Sequence, residues 1–266
     1  MSTTAKLADY ATACWHLGKP TLLGFPLLPK RLIRRAPYNR QAFNGFVSEL
    51  SLLKLPRHAV ILDVGANHGD FALACQTVCT ASRIHLFEPL PQLFDGLDRL
   101  AESTQGKWTV HRCALGAEAG SAEIEVPLSD DAVGTLAGFT DSYRAVNPAS
   151  AQTCKIDCEI RPLDEVDLGL DSTETIDLLK IDVEGFEFEV MKGAVETLRR
   201  TRNLVVEVSL LRHSDADRHP VPDMLSLLRS HGFRLRQIVP TLWDAENDNL
   251  AVEYDVYFTR AGKGGA

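Results

Sequence analysis

Short, almost uninterrupted apolar runs recur along the chain, and each is followed by a stretch whose apolar positions have helical spacing. The runs at 60–64, 84–87, 178–181 and 204–208 have the length of strands. A strand reads this way when both of its faces are covered, as in a parallel sheet. The stretches 71–78, 90–101, 187–200 and 224–231 read as intervening helices. This alternation predicts an α/β fold: a doubly wound, mostly parallel Rossmann-like sheet of about seven strands, with helices on both faces. Two further runs, 233–239 and 252–259, are joined by a polar segment at 244–249. They predict an antiparallel pair that closes the sheet with an antiparallel edge strand. The segment 128–153 is rich in Ser, Thr, Asp, Gly and Ala and breaks the alternation. A loop of that length in a compact domain is usually functional or disordered.

The pattern divides the chain into an extension over 1–45, a core domain over 46–260 and a tail over 261–266. The extension is basic within an acidic chain of net charge −8. It carries Lys6, Lys19, Lys30, Arg31, Arg34, Arg35 and Arg40 against Asp9 alone, around an apolar stretch at 22–29. Pro26 and Pro29 break any long amphipathic helix there, which favours a helix and loop packed on the core. Peripheral contact of residues 1–40 with an anionic membrane surface is the alternative. The negative net charge argues against nucleic acid as a partner. Cys14, Cys75, Cys79, Cys113, Cys154 and Cys158 contain no CxxC pair, so free thiols in a reducing compartment are expected rather than zinc. No apolar run approaches the ~20 residues that span a bilayer, and the first residues lack a signal-peptide layout. A cytoplasmic location is the expectation. Oligomeric state is not legible.

The chemistry concentrates where strands end. In 61–71 an apolar strand runs through Asp63 into a turn bearing Gly65, Asn67 and Gly69, and a helix follows. Gly65 allows a sharp turn and close ligand approach, and the helix amides favour a negative group such as a carboxylate. The central glycine of a G-x-G-x-x-G turn is missing, which disfavours a nicotinamide-dependent oxidoreductase. Asp63 could pair with an ammonium, which a methionine-derived cofactor has and NAD lacks. A turn with no ligand is the plain structural alternative. Glu88, at the end of the second strand, can accept hydrogen bonds from ribose hydroxyls. In 177–185, period-two alternation puts Lys180, Asp182 and Glu184 on one side if the strand stays extended. Asp182 or Glu184 could then orient an acceptor or take its proton; Glu184 also suits a helix start.

Together these stretches resemble the FkbM-type family of S-adenosylmethionine-dependent methyltransferases. The resemblance rests on Leu62-Asp63-Val64-Gly65-Ala66-Asn67-x-Gly69, Phe87-Glu88-Pro89-x-Pro91, and Ala114-Leu115-Gly116 with Gly120. It continues in Leu163-Asp164, Leu179-Lys180-Ile181-Asp182-Val183-Glu184-Gly185-x-Glu187 and Lys192-Gly193-Ala194. It covers roughly residues 46–240 and leaves the basic extension out. It implies a class I methyltransferase fold, S-adenosylmethionine as cofactor, and methylation of a hydroxyl on a sugar or natural product. By position, Asp63, Gly65, Asn67 and Gly69 would line the methionine part and Glu88 would hold the ribose. Cys113 and Ala114 would lie near the adenine, and Asp182 near the transferred methyl. His68 stands where the family commonly has an apolar residue.

Asp182 and Glu184 are the leading catalytic residues, with His68 and His213 ranked below them as bases. No metal is assigned; magnesium on Asp182, Glu184 and Glu207 is the alternative, since oxygen ligands suit that ion. Two other functions compete: a catalytically silent cofactor-binding or regulatory protein of the same fold, and a membrane-associated methyltransferase acting on a lipid-linked glycan.

Overall fold

The computed structural model describes residues 40–79, 82–127, 138–139, 153–209, 221–244 and 250–260. The expectations for residues 1–39, most of the 128–153 segment, His213 and the tail lie outside the described residues.

The strands are β1 (Val60–Val64), β2 (Arg83–Phe87), β3 (Trp108–His111), β8 (Ile176–Ile181), β9 (Thr201–Ser209), β10 (Phe233–Asp244) and β11 (Leu250–Arg260). They form one seven-stranded sheet in the order β10-β11-β9-β8-β1-β2-β3. Strand β11 runs antiparallel to both its neighbours, and the other pairings are parallel. The antiparallel pair closes the sheet as expected, with the reversed strand one place in from the edge.

Alternation along the strands sorts side chains onto two covered faces. Ile61, Leu178, Val205 and Tyr257 pack beneath α1 (Arg40–Leu50), α2 (Asp70–Val78) and the end of α3 (Pro91–Glu102). Leu62, Leu179, Leu204 and Val206 pack against α4 (Glu187–Lys192), α5 (Val195–Arg200) and α6 (Val221–Ser230). Helices on both faces explain why these strands read as continuous apolar runs. Helix α1 crosses the 45/46 boundary expected for the extension. Its Phe43, Val47 and Leu50 are buried in the core, and Phe46 meets Phe71 edge-on at 5.3 Å. Each such buried side chain stabilises by roughly 1.5–3 kcal/mol, so α1 belongs to the core.

Two features depart from the sequence reading. The single helix expected over 187–200 is α4 and α5, split at Gly193-Ala194. Gly193 lies against another backbone: a Cβ there would sit 2.0 Å from the Gly116 carbonyl oxygen. Asp164 then supplies a fresh helix start, its carboxylate accepting hydrogen bonds from Glu196 N and Thr197 N, both at 2.8 Å. A helix N-terminus needs such acceptors for its unpaired amides. The second departure is a four-stranded sheet, β4-β7-β5-β6, formed by β4 (Ala114–Leu115), β5 (Gly120–Pro127), β6 (Gly138–Phe139) and β7 (Thr153–Arg161). Its Ile124, Val126 and Cys158 pack on Leu90 and Leu93 at the start of α3.

Adjacent strands also bring a buried His85 against a half-buried His111. His85 Nδ1 and His111 Nε2 are 3.0 Å apart, so one ring donates and the other accepts. Burial pushes His85 down to about 4, with His111 and Arg83 adding repulsion. Because the folded pKa is depressed, this histidine's stabilising effect is complete above its ordinary value of 6.5 and is lost as pH falls toward 4.

Two outcomes are expected from this packing. Gly193→Ala should lower the melting temperature, with overpacking costing about 1–3 kcal/mol; an unchanged melting curve would show that the two backbones separate freely. His85→Gln should flatten the loss of stability between pH 6.5 and 4 in urea titrations, whereas an unaltered acid limb would place that sensitivity elsewhere.

Candidate active site at the carboxyl ends of the strands

Strand β1 leads into a turn that three left-handed residues shape: Gly65 (φ 77°), Asn67 (φ 49°) and Gly69 (φ 84°). Gly65 N and Ala66 N both donate to the Phe87 carbonyl at 3.0 Å, which fastens the turn to the end of β2. A Cβ on Gly65 would lie 1.8 Å from the Asp182 carbonyl oxygen, so only glycine lets the turn pass the end of β8. Glu88 is 5% exposed and holds the same turn. Its Oε2 accepts from Asn67 N at 2.8 Å and its Oε1 from Leu90 N at 3.0 Å. Burial pushes the Glu88 carboxyl up to about 7, while the two amides and Lys180 pull it back.

Asp63 lies beneath the turn with its side chain 0% exposed. Neither carboxylate oxygen has a hydrogen-bond partner. The ammonium it faces belongs to Lys180, 3.6 Å away. Burial raises Asp63 to about 6, with Lys180 opposing. Lys180 is itself buried, and its Nζ lies 2.9 Å from Asp182 Oδ2, donates to the Gly65 carbonyl at 3.2 Å and sits 5.5 Å over the Phe71 ring. Burial disfavours its charge, but Asp182 and Asp63 outweigh that and hold it protonated.

Beyond Lys180 lies a row of acids. Asp182 follows the end of β8, and the register Ile181↔Val206 brings Glu207 of β9 beside it. Asp255 of β11 is paired with Glu207. Strand β8 ends at Ile181, so Glu184 does not continue the alternation; it adopts a left-handed backbone (φ 57°). The turn nevertheless brings it back: Asp182, Glu184 and Glu207 each offer an oxygen, all within 4.8 Å of one another. Buried Glu187 holds this loop, its Oε1 accepting from Val183 N at 3.2 Å and Gly185 N at 2.9 Å. Burial raises Glu187 and Asp255 to about 7 each, and Asp182 adds repulsion to both. Burial also raises Glu207 well above the carboxylate range, with Asp182 and Glu187 contributing. Carboxyls poised around neutral pH can exchange protons with an acceptor. The Asp182–Glu184–Glu207 oxygens have the chemistry to hold a hard divalent cation, but beside Asp182 the Lys180 ammonium already supplies positive charge.

Cys113 and Ala114 follow β3, with side chains packed inward. Cys113 joins Phe87 and Leu115, and Ala114 joins Leu90 and Leu93. His68 sits in the turn and is partly buried.

The profile of the methyltransferase FkbM domain matches residues 63–235. The chain belongs to the FkbM methyltransferase family. Among its relatives, the 31-O-demethyl-FK506 methyltransferase FkbM of Streptomyces tacrolimicus is 30% identical over 196 residues, covering 65% of this chain and 72% of the relative. The hexuronic acid methyltransferase AglP of Haloferax volcanii is 28% identical over 181 residues, covering 68% of this chain and 66% of the relative. A solved methyltransferase FkbM from Methylobacillus flagellatus superposes with a TM-score of 0.50 at 16% identity, over 86% of this chain and 57% of that one. That likeness bears on the fold alone, which is the class I methyltransferase architecture.

Several FkbM motif residues are structural in this domain. Gly193 lets its backbone pass the Gly116 carbonyl, Gly116 leaves room for the Ile160 and Phe186 side chains, and Asp164 starts α5. The sequence reading assigned no role to Lys180, Glu187 or Asp255. The signal for Lys180 was available as a lone cation inside an apolar strand; that for Asp255 depends on strand order. Glu187→Ala should lower both the melting temperature and turnover, because two amides lose their acceptor at about 1–3 kcal/mol for a buried unsatisfied group. Glu187→Gln, which keeps a carbonyl oxygen, should be milder. Wild-type turnover in the alanine variant would detach this loop from the chemistry.

Proposed function

We propose that this FkbM domain is an S-adenosylmethionine-dependent O-methyltransferase whose acceptor is a hydroxyl on a sugar or natural product. The observation that carries the reading is the glycine turn pressed against Asp182 with Glu88 fixed at the neighbouring strand end. That cradle suits a ligand with a carboxylate, an ammonium and ribose hydroxyls, and its glycine spacing does not suit a pyrophosphate. Gly65, Asn67 and Gly69 would hold the methionine part. Glu88 would accept from the ribose with the lone pairs the amides leave, and the backbone of Cys113 and Ala114 would border the adenine.

When bound, the cofactor supplies an activated methyl on a sulfonium. The protein's share is alignment and proton management. Asp182, fixed by Lys180, orients the acceptor hydroxyl toward an in-line approach of about 3–3.5 Å. Glu184 takes the hydroxyl proton, with Glu207 beside it to share the charge. The relatives that act on a hexuronic acid and on demethyl-FK506 support a hydroxylated acceptor for this chain too. The described residues include no helix long and apolar enough to cross a membrane, and a small-molecule or carbohydrate acceptor, rather than nucleic acid, fits the acidic site.

Calorimetric titration with S-adenosylmethionine, S-adenosylhomocysteine and NAD tests the cofactor. Wild type should bind the two adenosyl ligands selectively, and Glu88→Ala should weaken both; tight NAD binding, or no adenosyl binding, would overturn the reading. With hydroxylated acceptors, Glu184→Gln should reduce turnover by roughly 10²–10⁴-fold while leaving cofactor affinity in place. Turnover should also survive chelation by EDTA; its loss, restored by magnesium, would assign the carboxylate trio to a metal.

A further inference from the structure

Lys180 is the point where the two halves of the site meet. On one side its ammonium donates to the Gly65 carbonyl, inside the cofactor turn. On the other it lies 2.9 Å from Asp182 Oδ2, at the start of the acid row. Behind it, 3.6 Å away, is Asp63, fully buried and without a hydrogen-bond partner. A buried lysine is costly unless paired. A single carboxylate would suffice to neutralise it. Two carboxylates and a carbonyl, drawn from β1, the glycine turn and β8, converge on it instead.

The geometry points to Lys180 as a positioning residue for methyl transfer: one buried ammonium fixes both the Gly65 carbonyl of the cofactor turn and the Asp182 carboxylate. Asp63 anchors that ammonium from beneath, which gives a fully buried acid at the heart of the motif a partner. Lys180 does not touch the reacting atoms. Within the spacing that the backbone sets, it orients the Asp182 carboxylate against the turn. Without it, Asp182 is free to rotate and the Gly65 carbonyl loses its donor. The inference rests on the cofactor and O-methylation reading above.

The test uses the full chain and two variants, Lys180→Met and the double variant Asp63→Asn with Lys180→Met. The double variant removes the uncompensated buried charge, so it remains informative if the single variant unfolds. S-adenosylhomocysteine affinity is measured by calorimetry, and turnover is measured at saturating S-adenosylmethionine so that kcat separates from KM. A folded double variant should recover the wild-type melting temperature yet bind S-adenosylhomocysteine more weakly and turn over about 10²-fold more slowly, the scale of loss for an ångström of misplacement. Recovery of wild-type turnover in the double variant would overturn the inference, because the lysine would then only neutralise Asp63. A folded Lys180→Met variant with wild-type affinity and kcat would overturn it as well. Failure of the underlying reading is separate and shows first in the wild type, as no binding of either adenosyl ligand and no methyl transfer.

Discussion

Gly65 passes so near the end of β8 that a side chain there would overlap the Asp182 carbonyl. Much of the site follows from that contact. It brings the turn after β1 level with the acid after β8, and it lets the Asp182 amide reach back to the Val64 carbonyl at 3.1 Å. The adjoining amides of Gly65 and Ala66 are spent on Phe87, which draws Glu88 up beside the turn. A larger residue would push these strand ends apart, and the cradle and the acid row would separate. Backbone approach, rather than any single charged group, sets the frame in which the charges act.

That frame concentrates carboxyls to a degree the interior would not otherwise tolerate. Asp63, Asp182, Glu187, Glu207 and Asp255 share a small region with Lys180. Three kinds of relief operate. Lys180 compensates Asp63 and Asp182 directly. Backbone amides satisfy Glu88 and Glu187. Burial also lifts Asp255 to about 7 and Glu207 well above the carboxylate range, which favours their protonated forms.

The central sheet was legible because burial on both faces writes itself into β1, β2, β8 and β9 as continuous apolar runs. The turn and Glu88 were legible because glycine and a strand-end acid sit at a characteristic interval. The small sheet was harder: β7 alternates Cys154, Ile156, Cys158 and Ile160 with Lys155, Asp157 and Glu159, a period-two pattern that marks a strand covered on one face, but its partner β5 is far away in sequence. The break between α4 and α5 was not legible at all. Its causes are the Gly116 backbone and the Asp164 carboxylate, both distant in the chain. The proximity of Asp63 to Lys180 was equally out of reach, because it follows from the pairing of β1 with β8.

The strand order divides the candidate site between two sides of the sheet without a second domain. The glycine turn and Glu88 belong to β1 and β2, whereas Asp182, Glu207 and Asp255 belong to β8, β9 and β11 on the other side. A parallel sheet whose direction of winding reverses beside β1 leaves a crevice at that junction, and ligands of such folds bind there. In this chain the junction is bridged by an ammonium from β8 that reaches under the turn from β1. The acid side is extended by β11, which pairs antiparallel with β9. The reversed strand therefore carries Asp255 into register with Glu207. The same topological feature that distinguishes this sheet from an all-parallel one also completes its row of acids.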